Sequence, residues 1–228
     1  MSKTKLRIAT YNIAHGDTCG LDMSILAGDI NAIGADIVGL QEVDVNTARV
    51  HGRDTLEELA RASGYEYYRF CRSIDLTGGM YGTAILSKYP ITYFEVIPHY
   101  INTELPDREQ RTCSHAEIGL PTGSLSFFNT HLSCGPMEAR AAQFKKLGEL
   151  IGTHDRFILT GDFNTEDPCE YEGLGTVKRT NPGKHKSFEL KYAIDDIIAP
   201  VSAEILSSAL YTDTHNSDHY MLFADIEI

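Results

Sequence analysis

The chain has 228 residues, 32 of them acidic and 20 basic, for a formal net charge of −12; hydrophobic residues make up 42% and charged ones 23%. This is globular composition, and a chain of this length buries roughly 70–75% of its unfolded surface, enough for one core without disulfide or metal staples. The acidic balance excludes a protein that wraps duplex nucleic acid through a broad basic face, but not one with a local basic patch.

The start, Met-Ser-Lys-Thr-Lys, is basic but leads into no apolar h-region, and no run approaches the roughly 18 apolar residues of a membrane span. The five cysteines, Cys19, Cys71, Cys113, Cys134 and Cys169, are odd in number and form no Cys-x-x-Cys pair. A disulfide framework or a cysteine-based zinc site is therefore not expected. The expectation is a reduced, cytoplasmic protein of one domain spanning residues 1–228, with no integral membrane segment.

In chain order, strand-like runs rich in β-branched and aromatic residues occupy Leu6 to Asn12, Ile37 to Gln41, Tyr65 to Cys71, Thr83 to Ser87 and Ile91 to Ile97. They continue at Cys113 to Ile118, Leu125 to Thr130, Phe157 to Thr160, Ile194 to Ile198, Ala203 to Ser207 and Tyr220 to Ile226. Three helical patterns lie between them. Leu21, Ile25, Leu26, Ile30 and Ile33 recur at helical spacing before Gly34. Leu56, Leu59 and Ala60 form a stripe that ends at Gly64. A third pattern starts at Pro136 and carries Ala139, Ala142, Phe144, Leu147 and Ile151. Strands outnumber helices and many are joined by short turns, which predicts mixed or antiparallel sheets with a few covering helices rather than a doubly wound parallel sheet.

Polar residues gather at the ends of the apolar runs: Asn12, Glu42, His131, Asp162 with Asn164, Asp195, and Asp218 with His219. Each alone reads as a turn cap or a solvated charge. Six strand ends bearing carboxylates, amides and imidazoles are a different matter, because strand ends are rigid and can converge at one rim of a sheet. Apart from the two imidazoles the set offers hard oxygen ligands and no thiolate, which suits Mg²⁺, Mn²⁺ or Ca²⁺. Glu42, Asn12 and Asp218 supply oxygen donors, leaving two histidines and an aspartate for protons and developing charge.

The segments RIATYNI (7–13), GLQEVD (39–44), YGTAILSKYPI (81–91), NTHL (129–132), GDFN (161–164), ID (194–195) and SDH (217–219) occur in this order over nearly the whole chain. In these the chain resembles the endonuclease/exonuclease/phosphatase superfamily of DNase I-like, metal-dependent phosphoesterases. The resemblance implies an α/β (α+β) fold, a four-layer α/β/β/α sandwich of two mostly antiparallel sheets, with pseudo-symmetric halves meeting near Gly119 to Gly123. It implies Glu42 as the principal metal ligand, beside Asn12 and with Asp218 as a further donor, and Mg²⁺ (or Mn²⁺ or Ca²⁺) as cofactor. Asp162 would orient or deprotonate the attacking water and Asn164 would hold the nucleophile or a phosphate oxygen. His219, oriented by Asp195, would stabilise the transition state, and His131 would contact the phosphate from the other side. Tyr81 and Arg111 match phosphate-touching positions more loosely.

Two departures stand out. Relatives carry Ile-Asp-Tyr where this chain has Ile194-Asp195-Asp196, and adjacent strand residues face opposite ways, so only one aspartate can enter the site. Met221 occupies a position that is commonly proline.

Two further segments bear on substrate. Lys178, Arg179, Lys184, Lys186 and Lys191 accompany only Glu189 between residues 177 and 191, against the acidic trend of the chain. That loop, Lys184 and Lys186 above all, is expected to meet an anionic substrate. Arg49, His51 and Arg53 follow Glu42 and either contact a phosphate or are surface charges. The expected substrate is a phosphorylated small molecule, nucleotide or lipid head group, with DNA or RNA cleavage as the alternative within enzymes. A non-catalytic phosphate-binding module is the alternative of another class.

Overall fold

Alternation sends Leu6 and Ile8 of the first strand to one face and Ala9 and Tyr11 to the other, and all four are buried, so that strand must be covered on both sides. The computed structural model describes residues 3–99 and 109–228; Met1 and Ser2 of the basic start lie outside them. The described elements are β1 (Lys5–Asn12), α1 (Met23–Ile33), β2 (Ile37–Val45), α2 (Thr55–Ser63), β3 (Tyr67–Leu76), β4 (Gly79–Ser87), β5 (Ile91–Pro98) and β6 (Thr112–Leu120). They continue with β7 (Gly123–His131), α3 (Met137–Ile151), β8 (Phe157–Asp162), β9 (Val177–Arg179), β10 (Asp195–Pro200), β11 (Glu204–Leu210) and β12 (Leu222–Glu227).

Two six-stranded sheets form, in the orders β11-β12-β1-β2-β4-β3 and β5-β6-β7-β8-β10-β9. Each has one parallel pair, β1 with β2 and β7 with β8, and is otherwise antiparallel. Both parallel pairs are joined through a helix, as a crossover requires. The second half repeats the first: β7-α3-β8 matches β1-α1-β2, and β9 and β10 add to β8 as β3 and β4 add to β2. The repeat begins at the tight turn between Leu120 and Gly123.

Leu6, Ile8, Ile37 and Ile85 pack between the sheets against Ile118, Phe127, Ile158 and Ile197. The outer face of the first sheet is covered by α1 and α2 through Leu26, Ile30, Leu56 and Leu59, and that of the second by α3 through Phe144, Leu147 and Ile151. Each such side chain withdrawn from water contributes about 1.5–3 kcal/mol. The layers are therefore α/β/β/α. No helix among the described residues is long and apolar enough to cross a membrane.

Several boundaries differ from the sequence reading, for local reasons. Leu21 has a left-handed backbone and stands before the helix, whose N-cap Asp22 accepts from the Ser24 N–H at 3.0 Å. Ile25 is exposed, because the buried stripe runs through Met23, Leu26, Ala27, Ile30 and Ile33. The last strand starts at Leu222 rather than Tyr220, since the Tyr220 N–H is turned aside to the Ser187 carbonyl at 2.7 Å. The three residues of β9 are too few for a periodic pattern.

The inter-sheet layer turns polar toward the ends of β1, β2, β7 and β8. The Gln41 amide donates to Thr10 Oγ1 at 3.0 Å and to Asn129 Oδ1 at 2.7 Å, and Thr160 Oγ1 donates to the same Asn129 oxygen at 3.0 Å. Gly39 leaves the space for this contact: a Cβ there would lie 2.1 Å from Thr160 Oγ1 and 2.6 Å from Asn129 Oδ1. Gly39→Ala is therefore expected to cost about 2 kcal/mol or more in stability, read as a lowered urea midpoint at unchanged m-value. An unchanged midpoint would show that the sheets part freely at this point.

Candidate active site

The register of three neighbouring strands assembles half of the site. His131 pairs with Asp162 across the parallel β7–β8 ladder, and Asp162 pairs with Asp195 across β8–β10. These three side chains stand abreast at one rim of the second sheet. The first sheet supplies Asn12, the last residue of β1, and Glu42 from β2.

Glu42 reaches the site through a backbone irregularity. Between Leu40 and Val43 the β2–β4 register shifts by one residue, and Glu42 itself has φ of +57°. A bulge with a left-handed residue re-aims a side chain that regular alternation would send elsewhere. Asn164 likewise has φ of +53°, in the turn just beyond β8.

The Asn12 amide joins the two sheets, its Nδ2 donating to Glu42 Oε1 at 3.2 Å and to Asp162 Oδ2 at 3.1 Å. Its Oδ1 accepts from the Ala14 N–H at 3.1 Å. Ser217 Oγ donates to the Asn12 carbonyl at 2.7 Å, which docks the loop bearing Asp218 and His219 onto β1. The His219 Nδ1–H donates to Asp195 Oδ2 at 2.8 Å, so Nε2 faces Asp162 Oδ2 at 3.6 Å. His131 Nε2 lies 3.5 Å from the same Asp162 oxygen. Asp162 Oδ1 accepts from the Asn164 N–H at 3.0 Å, and the Asn164 side-chain Nδ2 is tied to the Leu132 carbonyl at 2.9 Å. The other Asp195 oxygen, Oδ1, is buried without a hydrogen-bond partner among the described residues.

Burial and these neighbours drive the ionisable groups apart. Burial and the adjacent Asp195 charge raise the Asp162 carboxyl to about 7, against the opposing pull of His219, Asn12 and the Asn164 N–H. Burial alone would lower the His219 imidazolium, but Asp195 and Asp162 outweigh it and raise it to about 10. Burial, and then the Arg111 charge, hold His131 well below its ordinary value, so it is neutral at pH 7. Burial would raise Glu42, yet His15, His131, Asn12 and His219 together hold it down at about 2. The site therefore combines an ionised glutamate, a protonated histidine, a neutral histidine and an aspartate poised near neutrality.

Between the two adjacent aspartates, Asp195 is the one that bonds His219. Asp196 faces away and is buried against Arg179 Nε at 2.7 Å and the Thr180, Asn181 and Ile197 N–H groups. Asp218 is half-buried; its Oδ1 accepts from Ser217 Oγ at 3.3 Å, and among the described residues no hydrogen bond joins its carboxylate to Glu42. Tyr81 is buried next to the site, its hydroxyl pushed up by burial and by the Glu42 charge. Arg111 is buried, ion-paired with Glu109 at 3.0 Å, and its charge bears on both His131 and Tyr81.

The basic segment lies beside His219, whose ring meets Phe188 at 4.8 Å while the Glu189 N–H donates to the Asp218 carbonyl at 2.9 Å. Its charges are largely matched locally: Arg179 meets Asp196, Lys186 meets Glu166 and Lys191 meets Glu189. Lys184 is exposed. Of the other arginines, Arg49 binds both Asp44 oxygens at 2.6 and 2.7 Å and stands 5.3 Å from the Tyr81 ring centre, at the rim of the site. Arg53 is a surface charge bound to Glu58 and the Leu21 carbonyl.

Sequence reasoning missed His15, whose Nδ1 lies 3.9 Å from Glu42 Oε2. Its one signal is a histidine three residues beyond the Asn12 strand end. The left-handed turn that brings it back, with φ of +46° at His15, carries no pattern of its own.

The sequence profile described as the Endonuclease/Exonuclease/phosphatase family matches residues 9–219. No curated protein sequence matches the chain. Among solved structures, an endonuclease/exonuclease/phosphatase from Beutenbergia cavernae is similar at a TM-score of 0.85 and 22% identity, over 98% of this chain and 72% of that one. A mannosyl-6-phosphatase from Bacteroides thetaiotaomicron is similar at 0.77 and 20%, over 97% and 99%. TDP2 from D. rerio, complexed with a single-strand DNA product, is similar at 0.77 and 18%, over 98% and 99%. At these identities the likeness is one of fold.

The raised Asp162 carboxyl has a consequence for metal-free protein. Its folded value of about 7 exceeds the ordinary 3.8, so the folded state holds a proton that the unfolded chain has lost between those limits. The resulting stability is fully present below 3.8 and is lost as pH rises through 7. In EDTA, wild type is expected to lose on the order of 3 kcal/mol relative to Asp162→Asn between pH 4 and 8.5, as read from urea melts at both ends. A difference that stays constant with pH would mean that Asp162 is an ordinary carboxylate.

Proposed function

The chain belongs to the endonuclease/exonuclease/phosphatase family, and on that footing we propose that it is a divalent-metal-dependent phosphoesterase, hydrolysing a phosphodiester or phosphomonoester by direct attack of water. One observation carries this reading: Asn12 is bonded at once to Glu42 and to Asp162, with both histidines within 3.6 Å of the same Asp162 oxygen.

The donor set fits a hard cation. Glu42 is ionised throughout the physiological range and remains partly open to solvent, and the residues that would join it offer amide and carboxylate oxygens and no thiolate. Glu42, with Asn12 and Asp218, would hold Mg²⁺, or Mn²⁺ or Ca²⁺ in its place. When bound, the ion supplies Lewis-acid neutralisation of phosphoryl and leaving-group charge.

The chain's own groups do the rest. Asp162 takes the proton of the attacking water, an assignment suited to a carboxylate whose proton affinity lies near the working pH. Asn164, with one amide N–H anchored to the Leu132 carbonyl, holds that water through its side-chain oxygen or donates its remaining N–H to a phosphate oxygen. The His219 cation, fixed through Nδ1 by Asp195, turns Nε2 toward the charge that builds on the phosphoryl oxygens. His131, held neutral, contacts the phosphate from the opposite side. Tyr81 and Arg111 line the anion-binding wall, and Lys184 and Lys186 extend it, with Lys186 exchanging Glu166 for substrate.

A phosphorylated small molecule, nucleotide or lipid head group fits better than long duplex DNA. The net charge of −12 opposes a polyanion, and the cations flanking His219 are mostly spoken for by carboxylates. A nuclease reading is favoured by one observation, the likeness to D. rerio TDP2 with its single-strand DNA product. A non-catalytic phosphate-binding module would have no use for an aspartate poised at about 7 beside an imidazolium at about 10.

Two variants test the assignment on an aryl phosphodiester. Glu42→Gln is expected to raise sharply the Mg²⁺ concentration needed for half-maximal rate; an unchanged metal response would remove Glu42 from the metal's surroundings. His219→Ala is expected to lower kcat by about 10²–10⁴-fold with folding retained, and a rate near wild type would contradict its role.

A further inference from the structure

On the outer face of the second sheet, far from the catalytic rim, a second group of titratable side chains faces inward on itself. His115 and Glu117 stand two residues apart on β6 and so point to the same side. His154 follows the end of α3 and comes down over them, its backbone N–H held by the Ile151 carbonyl at 3.0 Å. One nitrogen from each imidazole and one Glu117 oxygen all lie within 4.8 Å of one another. His115 Nε2 and Glu117 Oε1 are 3.0 Å apart.

We propose that His115, Glu117 and His154 form a second metal site, for a borderline transition ion of the Zn²⁺ class, which clasps the end of α3 to β6 and takes no part in hydrolysis. Two imidazoles and one carboxylate are a ligand set that selects such ions, in contrast to the oxygen-rich set around Glu42. The imidazoles are already oriented. The His115 ring stacks on Phe128 at 4.5 Å, and the His154 ring meets Phe128 edge-on at 5.3 Å and His115 at 4.9 Å. The carboxylate is held from behind, as ligating carboxylates are. Ser124 Oγ bonds its Oε2 there, while Ser126 Oγ donates to Oε1 at 2.6 Å on the side that faces His154.

Burial would raise Glu117, but Ser124, Ser126 and His115 outweigh it and keep the carboxyl low, while burial lowers the His154 imidazole from its ordinary value. Ser126 Oγ, now 2.9 Å from His154 Nδ1, is the group an ion would displace. Closing the ligand atoms to about 3.3 Å, the spacing set by tetrahedral bonds of about 2.05 Å, asks most of His154, which lies outside the sheet. Glu117 pairs with Ser126 of β7, five residues from His131, or about 17 Å along the strand. The two sites are thus independent.

The test uses the full chain carrying Glu42→Gln and Asp162→Asn, freed of metal with EDTA, and Co²⁺ as the probe. One equivalent of Co²⁺ is expected to give the visible d–d absorption of a four- or five-coordinate ion, lost on addition of Zn²⁺ and absent when His115→Gln or His154→Gln is added. Zn²⁺ at about 100 times its dissociation constant is expected to raise Tm by roughly 5–10 °C, and His154→Gln is expected to abolish that rise while Mg²⁺-dependent turnover in the otherwise wild-type chain stays unchanged. Should His115→Gln fail to fold, His154→Gln decides alone. No visible band, or a band and a thermal shift that survive His154→Gln, overturns the site; neither result bears on the hydrolysis reading, which is measured separately by turnover.

Discussion

The side-chain amide of Asn129 uses its full hydrogen-bonding capacity, three of its four bonds crossing the gap between the sheets. From β7 its Nδ2 donates to the Leu40 carbonyl at 2.9 Å and the Ala84 carbonyl at 3.0 Å, both in the opposite sheet, while its Oδ1 accepts from Gln41 and Thr160. Hydrogen bonds buried in a low-dielectric layer cannot be traded for water, so any sliding of one sheet on the other leaves several polar groups unpaired at once. The layer lies one residue from Glu42 and two from His131 and Asp162. Inter-sheet register and catalytic geometry are thus one constraint, and Asn12, bonding Glu42 and Asp162 together, is its outermost member.

That rigidity lets like charges stand close. Asp162 and Asp195 are ladder partners, and two carboxylates so placed and buried cannot both ionise without compensation. His219 supplies it unevenly, through a 2.8 Å hydrogen bond to Asp195 and a longer 3.6 Å approach to Asp162. The outcome is a division of labour between two residues of the same type: one carboxylate orients an imidazolium, the other keeps a proton affinity near neutrality. Glu42, on the opposite sheet and partly open to solvent, is held down by His15, His131, Asn12 and His219 and stays ionised.

Much of this was legible in the sequence because it is written locally. Asn12, His131, Asp162 and Asp195 end apolar runs, and a strand end needs only period-two alternation to be found; the order of the short segments carried the fold. What escaped depends on contacts distant in sequence or on irregular backbone. The bulge that turns Glu42 into the site leaves no trace in the pattern of GLQEVD, and the turn that returns His15 to Glu42 leaves none either. Whether Asp195 or Asp196 enters the site was undecidable until Arg179 and three N–H groups were seen to occupy Asp196. Composition flagged the basic segment but could not reveal that Glu166, Glu189 and Asp196 meet three of its charges.

The most direct test of the account is turnover of an aryl phosphodiester, an aryl phosphomonoester, a sugar phosphate and a short single-stranded DNA in ¹⁸O-labelled water, with Mg²⁺ and with EDTA. The account predicts metal-dependent cleavage of at least one of these, with a single ¹⁸O atom in the product phosphate and no labelled product in EDTA. Cleavage undiminished by EDTA, or no cleavage of any of the four with Mg²⁺ or Mn²⁺ present, would contradict it.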